Sequence, residues 1–338
     1  MARVRAVMMQ RDEDALLEPW LRWHGALFGP RNLVVLDNGS RLPAVLDILR
    51  AAEADGVSVI RGHDSPRDFL DKGLHAEAVI RRFDADGDYD FALPLDCDEF
   101  LAVFTPDGLS CEPDDVHAAL DALRPVRSAL GIEMSLTNVP GRPGWFVADT
   151  LEKGFLPACS VLDVDHGFHR PRSRLAEGTR WTPLCFLHFH NKPFEVLREH
   201  ARRKLDGLVD VDDQDALRRY DGINNHLVPY FMLTPEQFAA IPERLLRARL
   251  PAFDRRAQAL GIEQMLDWPL RPAEWSMQWA LSGPPEADGL LVQSPGAAPV
   301  RFDPAAYLDR YPDVAAAAAM PLQHFLRHGW REGRSPGG

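Results

Sequence analysis

Two aspartates, one residue apart, directly follow an apolar segment of the sequence. Asp96 and Asp98 come after the run FALPL at 91–95, and Glu99 comes next. Two carboxylates at this spacing can turn toward one hard cation, and Mg²⁺ or Mn²⁺ suits oxygen ligands. Such a cation could bridge the phosphates of a nucleotide diphosphate and stabilise the charge on a departing group. An isolated pair of aspartates at this spacing is more often an ordinary solvated turn. The surrounding sequence therefore determines whether a metal site is the better interpretation.

A second polar cluster, Asp37-Asn38-Gly39-Ser40, follows the apolar run 32–36. One interpretation is a turn in which Ser40 caps the next helix. Another is that Asp37, Asn38 and Ser40 hydrogen-bond a nucleobase or ribose at a helix start, where free N–H groups are available. The two interpretations are compatible.

Two histidines form a third candidate cluster. His188 and His190 flank Phe189, so in a strand both side chains would point to the same face, and Lys192 follows closely. Histidine can ligate a metal, and lysine can counter a phosphate. Both histidines could equally be surface or hydrogen-bonded core residues. We therefore treat His188 and His190 as candidate metal ligands and Lys192 as a candidate donor-binding residue.

The elements that must position these clusters alternate between strand and helix. Apolar runs predict strands at 4–9, 32–36, 57–60 and 91–95, and helical spacing follows each of the first three, the third helix spanning 67–83. This order predicts an α/β fold, a largely parallel sheet with helices on both faces. Ligands of such sheets bind beyond the carboxyl ends of the strands. Both aspartate clusters stand at such ends, and we expect them to face one cleft.

The rest of the chain suggests a core with an appendage. Further predictions are helices at 114–123, 193–205 and 235–261, a strand-like segment at 128–136 and a strand at 184–188. The stretch 282–299 is rich in Pro, Gly and Ala and is predicted to be a linker. The predicted division is a catalytic domain over 1–281, the linker over 282–299, and a small helical module over 300–338.

Composition narrows the classes of function. The chain has 338 residues, with 46% hydrophobic and 26% charged, typical of a globular protein, and a formal charge of -12 disfavours a nucleic-acid partner. Four widely spaced cysteines predict reduced thiols, mostly buried. We expect a cytoplasmic protein, because neither a signal peptide nor a membrane-spanning apolar stretch is evident. The motifs GxSxG, HExxH, GxGxxG and the P-loop are missing, so hydrolases, zincins, dehydrogenases and NTPases lack their usual anchors.

Taken in order, these segments resemble the GT-A glycosyltransferases, in particular their bacterial family two and family 92-like branch. The segments that carry the resemblance are RDEDALLEPWLRWHGALFG, VVLDNGS, the helix 72–79, FALPLDCDEFL and LHFHNKPFEVLREHARRKL, together covering roughly residues 3 to 205. The C-terminal segments FDPAAYLDRYPDVA and PLQHFLRHGWREGRSP are similar to units attached to bacterial glycan-assembly proteins. For that module we expect an interaction or acceptor-handling role.

The resemblance implies a metal-dependent, inverting transfer of a sugar from a nucleotide diphosphate sugar, UDP-sugar favoured, to a hydroxyl of a glycan or lipid-linked acceptor. Peripheral membrane association is compatible with this, and an oligomeric state is not defined. The resemblance further implies that Asp37, Asn38 and Ser40 lie near the nucleotide and that Asp96 and Asp98 hold Mn²⁺ or Mg²⁺. His188 or His190 would complete the site, and we count Lys72 and Lys192 among the donor-binding residues. Arg11 departs from the pattern, since Asn is usual there.

The catalytic base has no clean counterpart in this sequence. Asp149, Glu152, Asp163 and Asp165 are candidates, of which we favour Asp163 and Asp165. One alternative function is a non-catalytic scaffold that binds a nucleotide sugar or glycan. A nucleotidyltransferase ranks lower, because its Gly-rich loop after the first strand is missing. The pairs Trp20/Trp23 and Trp275/Trp279 lie at helical spacing and are expected to be core contacts.

Overall fold

A computed structural model describes residues 1–266 and 289–337 of the chain. Trp275 and Trp279 lie outside these residues. In chain order the strands are β1 (Val4–Gln10), β2 (Leu33–Asp37), β3 (Ser58–Ile60), β4 (Phe91–Asp96), β5 (Glu99–Thr105), β6 (Gly108–Ser110), β7 (Ala129–Ile132), β8 (Ser135–Asn138), β9 (Trp145–Asp149), β10 (Lys153–Pro157), β11 (Val161–Asp163), β12 (Arg172–Ser173), β13 (Thr179–Thr182), β14 (Leu184–His188), β15 (Arg247–Arg249), β16 (Leu291–Gln293) and β17 (Val300–Arg301).

The α-helices are α1 (Leu17–Phe28), α2 (Pro43–Ala54), α3 (Pro66–Leu70), α4 (Lys72–Asp86), α5 (Pro113–Leu123), α6 (Phe194–Leu205), α7 (Gln214–Arg219), α8 (Pro235–Ala239), α9 (Pro251–Leu260), α10 (Glu263–Leu266), α11 (Pro304–Arg310), α12 (Pro312–Ala316) and α13 (Pro321–His324). Short 3-10 turns occupy Pro30–Asn32, Asn225–Phe231 and Pro242–Arg244, and a π-helical turn occupies Phe325–Gly329.

The predicted parallel unit forms one side of the first sheet, with β3 as its edge strand. Its strand order is β13-β7-β10-β4-β1-β2-β3, and the four strands β3, β2, β1 and β4 are mutually parallel. The chain moves outward from β1 to β3 and then returns to the other side of β1 as β4. Ligand crevices form at such a reversal. All seven residues of β1 except Arg5 are buried, as expected for a strand covered on both faces. The predicted α/β fold class is therefore confirmed.

A second sheet, not anticipated as a separate unit, holds much of the remaining chain. Its order is β17-β16-β15-β9-β8-β14-β5-β6, and its pairs are antiparallel apart from β14 with β8. The chain crosses from the first sheet to the second through the turn between Asp96 and Glu99, which joins β4 to β5. The Asp-Cys-Asp segment thus lies where the two sheets meet.

The main core joins helices α1, α2 and α5 to both sheets. Trp20 and Trp23 of α1 are fully buried, as predicted, and Trp23 Nε1 donates to the Leu101 carbonyl at 2.9 Å. A second core joins α4 to the first sheet and to the segment 161–168. The four cysteines are free thiols; three are buried and Cys159 is exposed.

Several local predictions were wrong at particular residues. Ser40 does not cap α2, because the chain stays extended to Leu42 and the Ser40 hydroxyl accepts from the Asp12 N–H at 3.0 Å instead. The predicted helix 67–83 is two helices that meet at Asp71. The predicted helical region 235–261 contains strand β15, which pairs with β9 and β16. For Ser40 and for β15, a tertiary contact overrides the local pattern.

The C-terminal segment is helical, as predicted, and is built into the main core. Phe302, Tyr307 and Phe325 are almost fully buried there, and α13 lies against β5 and β6. Residues Leu291–Gln293, within the segment predicted as a linker, form strand β16 of the second sheet, paired with β15 on one side and β17 on the other. No helix among the described residues combines the length and apolar character needed to cross a bilayer.

Candidate active site

The site is built where β4 ends, beside β1 on one side and β14 on the other. Met9 pairs with Asp96 and Gln10 with Asp37, so both aspartate clusters lie at one edge of the first sheet, on either side of β1. In the second sheet His188 pairs with Glu99, and the Phe189 N–H donates to the Asp98 carbonyl at 2.7 Å. The order of strands therefore brings together residues about 90 positions apart in the sequence.

Asp98, His188 and His190 form one cluster of potential metal ligands. Asp98 Oδ2 lies 3.4 Å from His188 Nε2 and 3.9 Å from His190 Nδ1, and the three ligand atoms lie within 4.8 Å of one another. Bonds of about 2.0–2.2 Å to a first-row divalent ion separate neighbouring ligands by about 3–3.5 Å. The side chains are thus close to the spacing that an ion would impose.

The electrostatics of this cluster favour an ionised carboxylate. Burial acts to raise the pKa of Asp98, but His188 and His190 hold it well below its usual range. Burial lowers the pKa of His188, yet the Asp98 charge outweighs it and the net direction is upward. For His190, burial and the nearby His188 lower the pKa to about 4. At neutral pH His190 is therefore a neutral imidazole, the form that binds a metal.

Asp96 is not part of this cluster, and its predicted role as a metal ligand stays a prediction. Its Oδ1 accepts from Lys72 Nζ and its Oδ2 from Lys153 Nζ, both at 2.6 Å. Burial raises the pKa of Asp96, but Lys153 and Lys72 more than offset it, and the carboxyl stays ionised. Both of its oxygens are committed to ammonium groups, so Asp96 organises cations in this structure rather than joining Asp98.

Lys153 is a member of the site that the sequence did not reveal. Its side chain is 7% exposed, and its ammonium also lies 2.9 Å from Glu99 Oε1. Glu99 in turn accepts from the Asp96 backbone N–H at 3.0 Å. Lys153 lies on strand β10, which the sequence pattern did not predict. The one signal that could have identified it is a lysine at the start of the short apolar run that forms this strand.

The Asp37-Asn38-Ser40 cluster is a tightly bonded loop. Asp37 Oδ1 accepts from the Gln10 side chain at 2.9 Å and from the Ser40 N–H at 3.2 Å. The Asn38 amide donates to the carbonyls of His63 and Ser65 and thereby ties this loop to the one after β3. Asp37 and Asn38 are both buried. A role in nucleotide binding stays a prediction for these three residues.

Lys192 lies beside an acidic residue of the first loop. Its Nζ is 2.6 Å from Glu13 Oε2, and His200 Nε2 is 3.7 Å from the other oxygen of Glu13. Two further cations converge nearby: the ammonium groups of Lys72 and Lys204 lie 5.6 and 5.4 Å from the centre of the Phe69 ring. Glu13, after β1, and His200 and Lys204, on helix α6, were missed by sequence reasoning, because only folding brings the two segments to the same edge.

The favoured base candidates are both engaged by their own loop. Asp165 accepts from the backbone N–H groups of residues 167, 169 and 170 at 3.2, 3.0 and 2.7 Å. Burial acts to raise the pKa of Asp165, but these hydrogen bonds outweigh burial and the net shift is downward. The carboxylate is therefore a weak base. Asp163 forms an ion pair with Arg172 across the β11–β12 pair. Neither carboxylate joins the Asp98 cluster.

The other two candidates are likewise held locally. Asp149 accepts from the N–H of Thr150 at 2.7 Å, and Glu152 lies 3.6 Å from the Arg170 guanidinium. The structure therefore assigns none of the four carboxylates to the cluster of Asp98, His188 and His190.

The chain is similar in structure to several solved proteins, but no protein family is identified for it. No family model and no curated protein matches the chain. Among solved structures, S. aureus TarS 1-349 in complex with UDP-GlcNAc is 12% identical at TM-score 0.36, covering 98% of this chain and 92% of that one. Glucosyl-3-phosphoglycerate synthase from Mycobacterium tuberculosis, in complex with Mn²⁺, UDP and glucosyl-3-phosphoglycerate, is 19% identical at TM-score 0.24, covering 40% and 44%.

A cytidylyltransferase from Leptospira borgpetersenii is also similar, at 15% identity and TM-score 0.23, covering 46% of this chain and 61% of that one. Across the first three structural matches, this chain spans 22%, 43% and 44% of the other protein's length. Two of the three structures described were solved with a uridine nucleotide bound.

Proposed function

We propose that this protein binds a nucleotide diphosphate sugar together with a divalent metal ion and transfers the sugar to a hydroxyl acceptor. One observation carries the proposal: Asp98, His188 and His190 converge at the carboxyl edge of the parallel strands. Lys72 and Lys153, and the ion pair of Lys192 with Glu13, lie at the same edge. A metal cluster flanked by lysines at a strand-order reversal suits a pyrophosphate.

The types of the three metal-ligand atoms favour some divalent ions over others. Two imidazole nitrogens and one carboxylate oxygen suit Mn²⁺ better than Mg²⁺, which prefers oxygen ligands and keeps its water. When bound, the ion would stabilise negative charge on the diphosphate as the sugar departs. We therefore propose Mn²⁺ as the preferred ion, with Asp98, His188 and His190 as its protein ligands.

The chain's own residues hold the surrounding charges in place. Asp96 fixes the ammonium groups of Lys72 and Lys153 at the edge of the sheet, and Glu13 does the same for Lys192. These cations offset a diphosphate locally, although the chain as a whole is acidic. We further propose that Asp37, Asn38 and Ser40 shape the loop that receives the nucleoside, with a uridine nucleotide as the favoured donor.

The same site supports a second function, a scaffold that binds the donor without turnover. The observation that favours it is the engagement of Asp163 and Asp165 by Arg172 and by their own loop, which leaves the predicted base unassigned. Catalysis in the proposed transfer requires a base to accept the acceptor's proton, and a carboxylate was the predicted one. For the transferase we also propose inversion at the sugar carbon, a role in glycan assembly and a cytoplasmic location. We do not extend these three points to the scaffold.

Titration of Mn²⁺ tests the binding site directly. Electron paramagnetic resonance of free Mn²⁺, with and without UDP, should show at least one bound equivalent for the native chain. Asp98→Asn and His188→Gln each remove a ligand and are expected to weaken binding at least tenfold. Asp96→Asn should retain most Mn²⁺ affinity, because Asp96 contacts lysines, and Asp163→Asn is the matched distant control. Native-like affinity in both Asp98→Asn and His188→Gln would refute the site.

Hydrolysis or transfer of UDP-sugars then separates the two functions. The enzyme proposal predicts slow Mn²⁺-dependent release of UDP by the native chain and loss of that release in Asp98→Asn. Binding of UDP and Mn²⁺ without turnover across a panel of sugars and hydroxyl acceptors would instead establish the scaffold.

A further inference from the structure

A second cluster of metal-ligating side chains stands apart from Asp98. It consists of His63, in the loop after β3, Asp68, in helix α3, and His75, in the first turn of α4. Their ligand atoms lie within 4.8 Å of one another, as in the Asp98 cluster. The side chains are partly buried, 22% to 26% exposed, so an ion could enter from solvent.

The two oxygens of Asp68 have separate tasks. Oδ2 accepts from the Ser65 backbone N–H at 3.0 Å and from its hydroxyl, in a capping box that starts α3. Oδ1 is thereby turned toward the histidines, 3.1 Å from His75 Nε2 and 3.8 Å from His63 Nδ1. The cap locks the rotamer, so Asp68 presents one oxygen to the two imidazoles.

The packing of the imidazoles also points to an ion. The His63 and His75 ring centres are only 4.0 Å apart and both rings face the same carboxylate oxygen. Hydrogen bonding alone would leave both rings competing to donate to the single oxygen Oδ1. A divalent ion binds two neutral imidazoles and a carboxylate together. The spacings of 3.1 and 3.8 Å bracket the about 3.3 Å expected between ligands of a tetrahedral Zn²⁺.

We propose that His63, Asp68 and His75 bind a first-row divalent transition-metal ion, with Zn²⁺ as the probe, at a site distinct from the Asp98 cluster. Three protein ligands of nitrogen and oxygen type leave a fourth position for water. Nothing in this assignment depends on the nature of the reaction at Asp98, so the two sites can be tested separately.

The position of the site gives the ion a structural task. The Asn38 amide donates to the carbonyls of His63 and Ser65, the latter at 3.2 Å, on one side of it. On the other side α4 begins with Lys72, which is bonded to Asp96. A bound ion ties the loop after β3 to the start of α4 and so fixes the segment between the Asn38 loop and Lys72.

Metal content of the full-length chain tests the proposal. After chelation and stoichiometric readdition of Zn²⁺, the double variant Asp98→Asn/His188→Gln should retain one tightly bound equivalent by elemental analysis. Adding His63→Gln/His75→Gln to that double variant should abolish this equivalent. A matched control adds His169→Gln/His328→Gln instead, which removes two histidines outside both clusters and should leave the equivalent bound. Retention of the equivalent after His63→Gln/His75→Gln is added would overturn the site.

Two further readouts guard against a folding defect. Zn²⁺ should raise the Tm of the native chain and of Asp98→Asn/His188→Gln, but not of the latter variant with His63→Gln/His75→Gln added, whose far-UV circular dichroism should match that of the metal-free native chain. Co²⁺ substitution in Asp98→Asn/His188→Gln should give visible absorption bands that disappear when His75→Gln is added. Failure of Mn²⁺ and UDP binding at Asp98 leaves these results unchanged, so the two proposals can fail independently. A Co²⁺ spectrum unaffected by His75→Gln would count against the proposal.

Discussion

Replacing Lys153 by methionine isolates the energetics of the buried charges. Lys153 is 7% exposed and lies 2.6 Å from Asp96 and 2.9 Å from Glu99, which is itself 4% exposed. Burial lowers the pKa of Lys153, but the two carboxylates outweigh it, so the ammonium is charged at neutral pH. Methionine preserves most of the side-chain volume and removes only the charge.

The expected cost follows from which carboxylate loses its partner. Asp96 keeps Lys72, so the uncompensated group in Lys153→Met is Glu99, deep in the protein. Leaving one partner of a buried pair unmatched typically costs about 3–5 kcal/mol. Because Glu99 retains the Asp96 N–H, we expect the lower end, about 3 kcal/mol in the free energy of unfolding.

Equilibrium urea unfolding, followed by far-UV circular dichroism, measures this loss. The second variant, Lys153→Met/Glu99→Gln, removes the unmatched charge while keeping an oxygen for the Asp96 N–H, and should recover at least half of the lost stability. A loss below about 1 kcal/mol in Lys153→Met, or no recovery in the double variant, would refute the reasoning about buried charge.

Three further predictions concern other parts of the molecule. His24 accepts from the Leu101 N–H, and burial lowers its pKa from 6.5 to about 3. As the pH drops, the unfolded chain therefore binds a proton at His24 before the folded chain does, and the free energy of unfolding should fall between about pH 6.5 and pH 3. Urea unfolding at several pH values should show a smaller fall in His24→Gln than in the native chain. Asp165→Ala leaves three backbone donors unmatched and should cost about 1–2 kcal/mol in urea unfolding, whereas Asp163→Ala should change stability by less than about 0.5 kcal/mol. Phe325→Ala should cost about 3 kcal/mol, measured by the same unfolding assay, because the C-terminal segment is part of the main core.

Each of these predictions has an opposing outcome. Equal pH slopes in native and His24→Gln proteins would exclude His24 as the titrating group. Loss of catalytic turnover in Asp165→Ala without loss of stability would restore Asp165 as the base. A native Tm in Phe325→Ala would mean that the C-terminal segment folds apart from the sheets.

The sequence by itself determined the parallel unit and the end of the sheet that carries the polar clusters. Period and composition located β1, β2, β3 and β4 within a residue or two, because buried parallel strands are continuous apolar runs bounded by helices. The rule that ligands bind at carboxyl ends then placed Asp37 and Asp96 at one edge, as the register of β1 with both neighbours shows. Trp20 and Trp23 were likewise identified as core residues from spacing alone.

Only the tertiary structure decided which side chains meet. Asp96 and Asp98 look equivalent in sequence, yet one faces Lys72 and Lys153 and the other faces His188 and His190. The difference arises because the turn between them carries the chain from one sheet into the next, and successive side chains there point to different neighbours. Those neighbours come from strands and helices between 24 and 92 residues away, as the positions 72 and 190 show, and local sequence patterns hold no record of contacts at that separation.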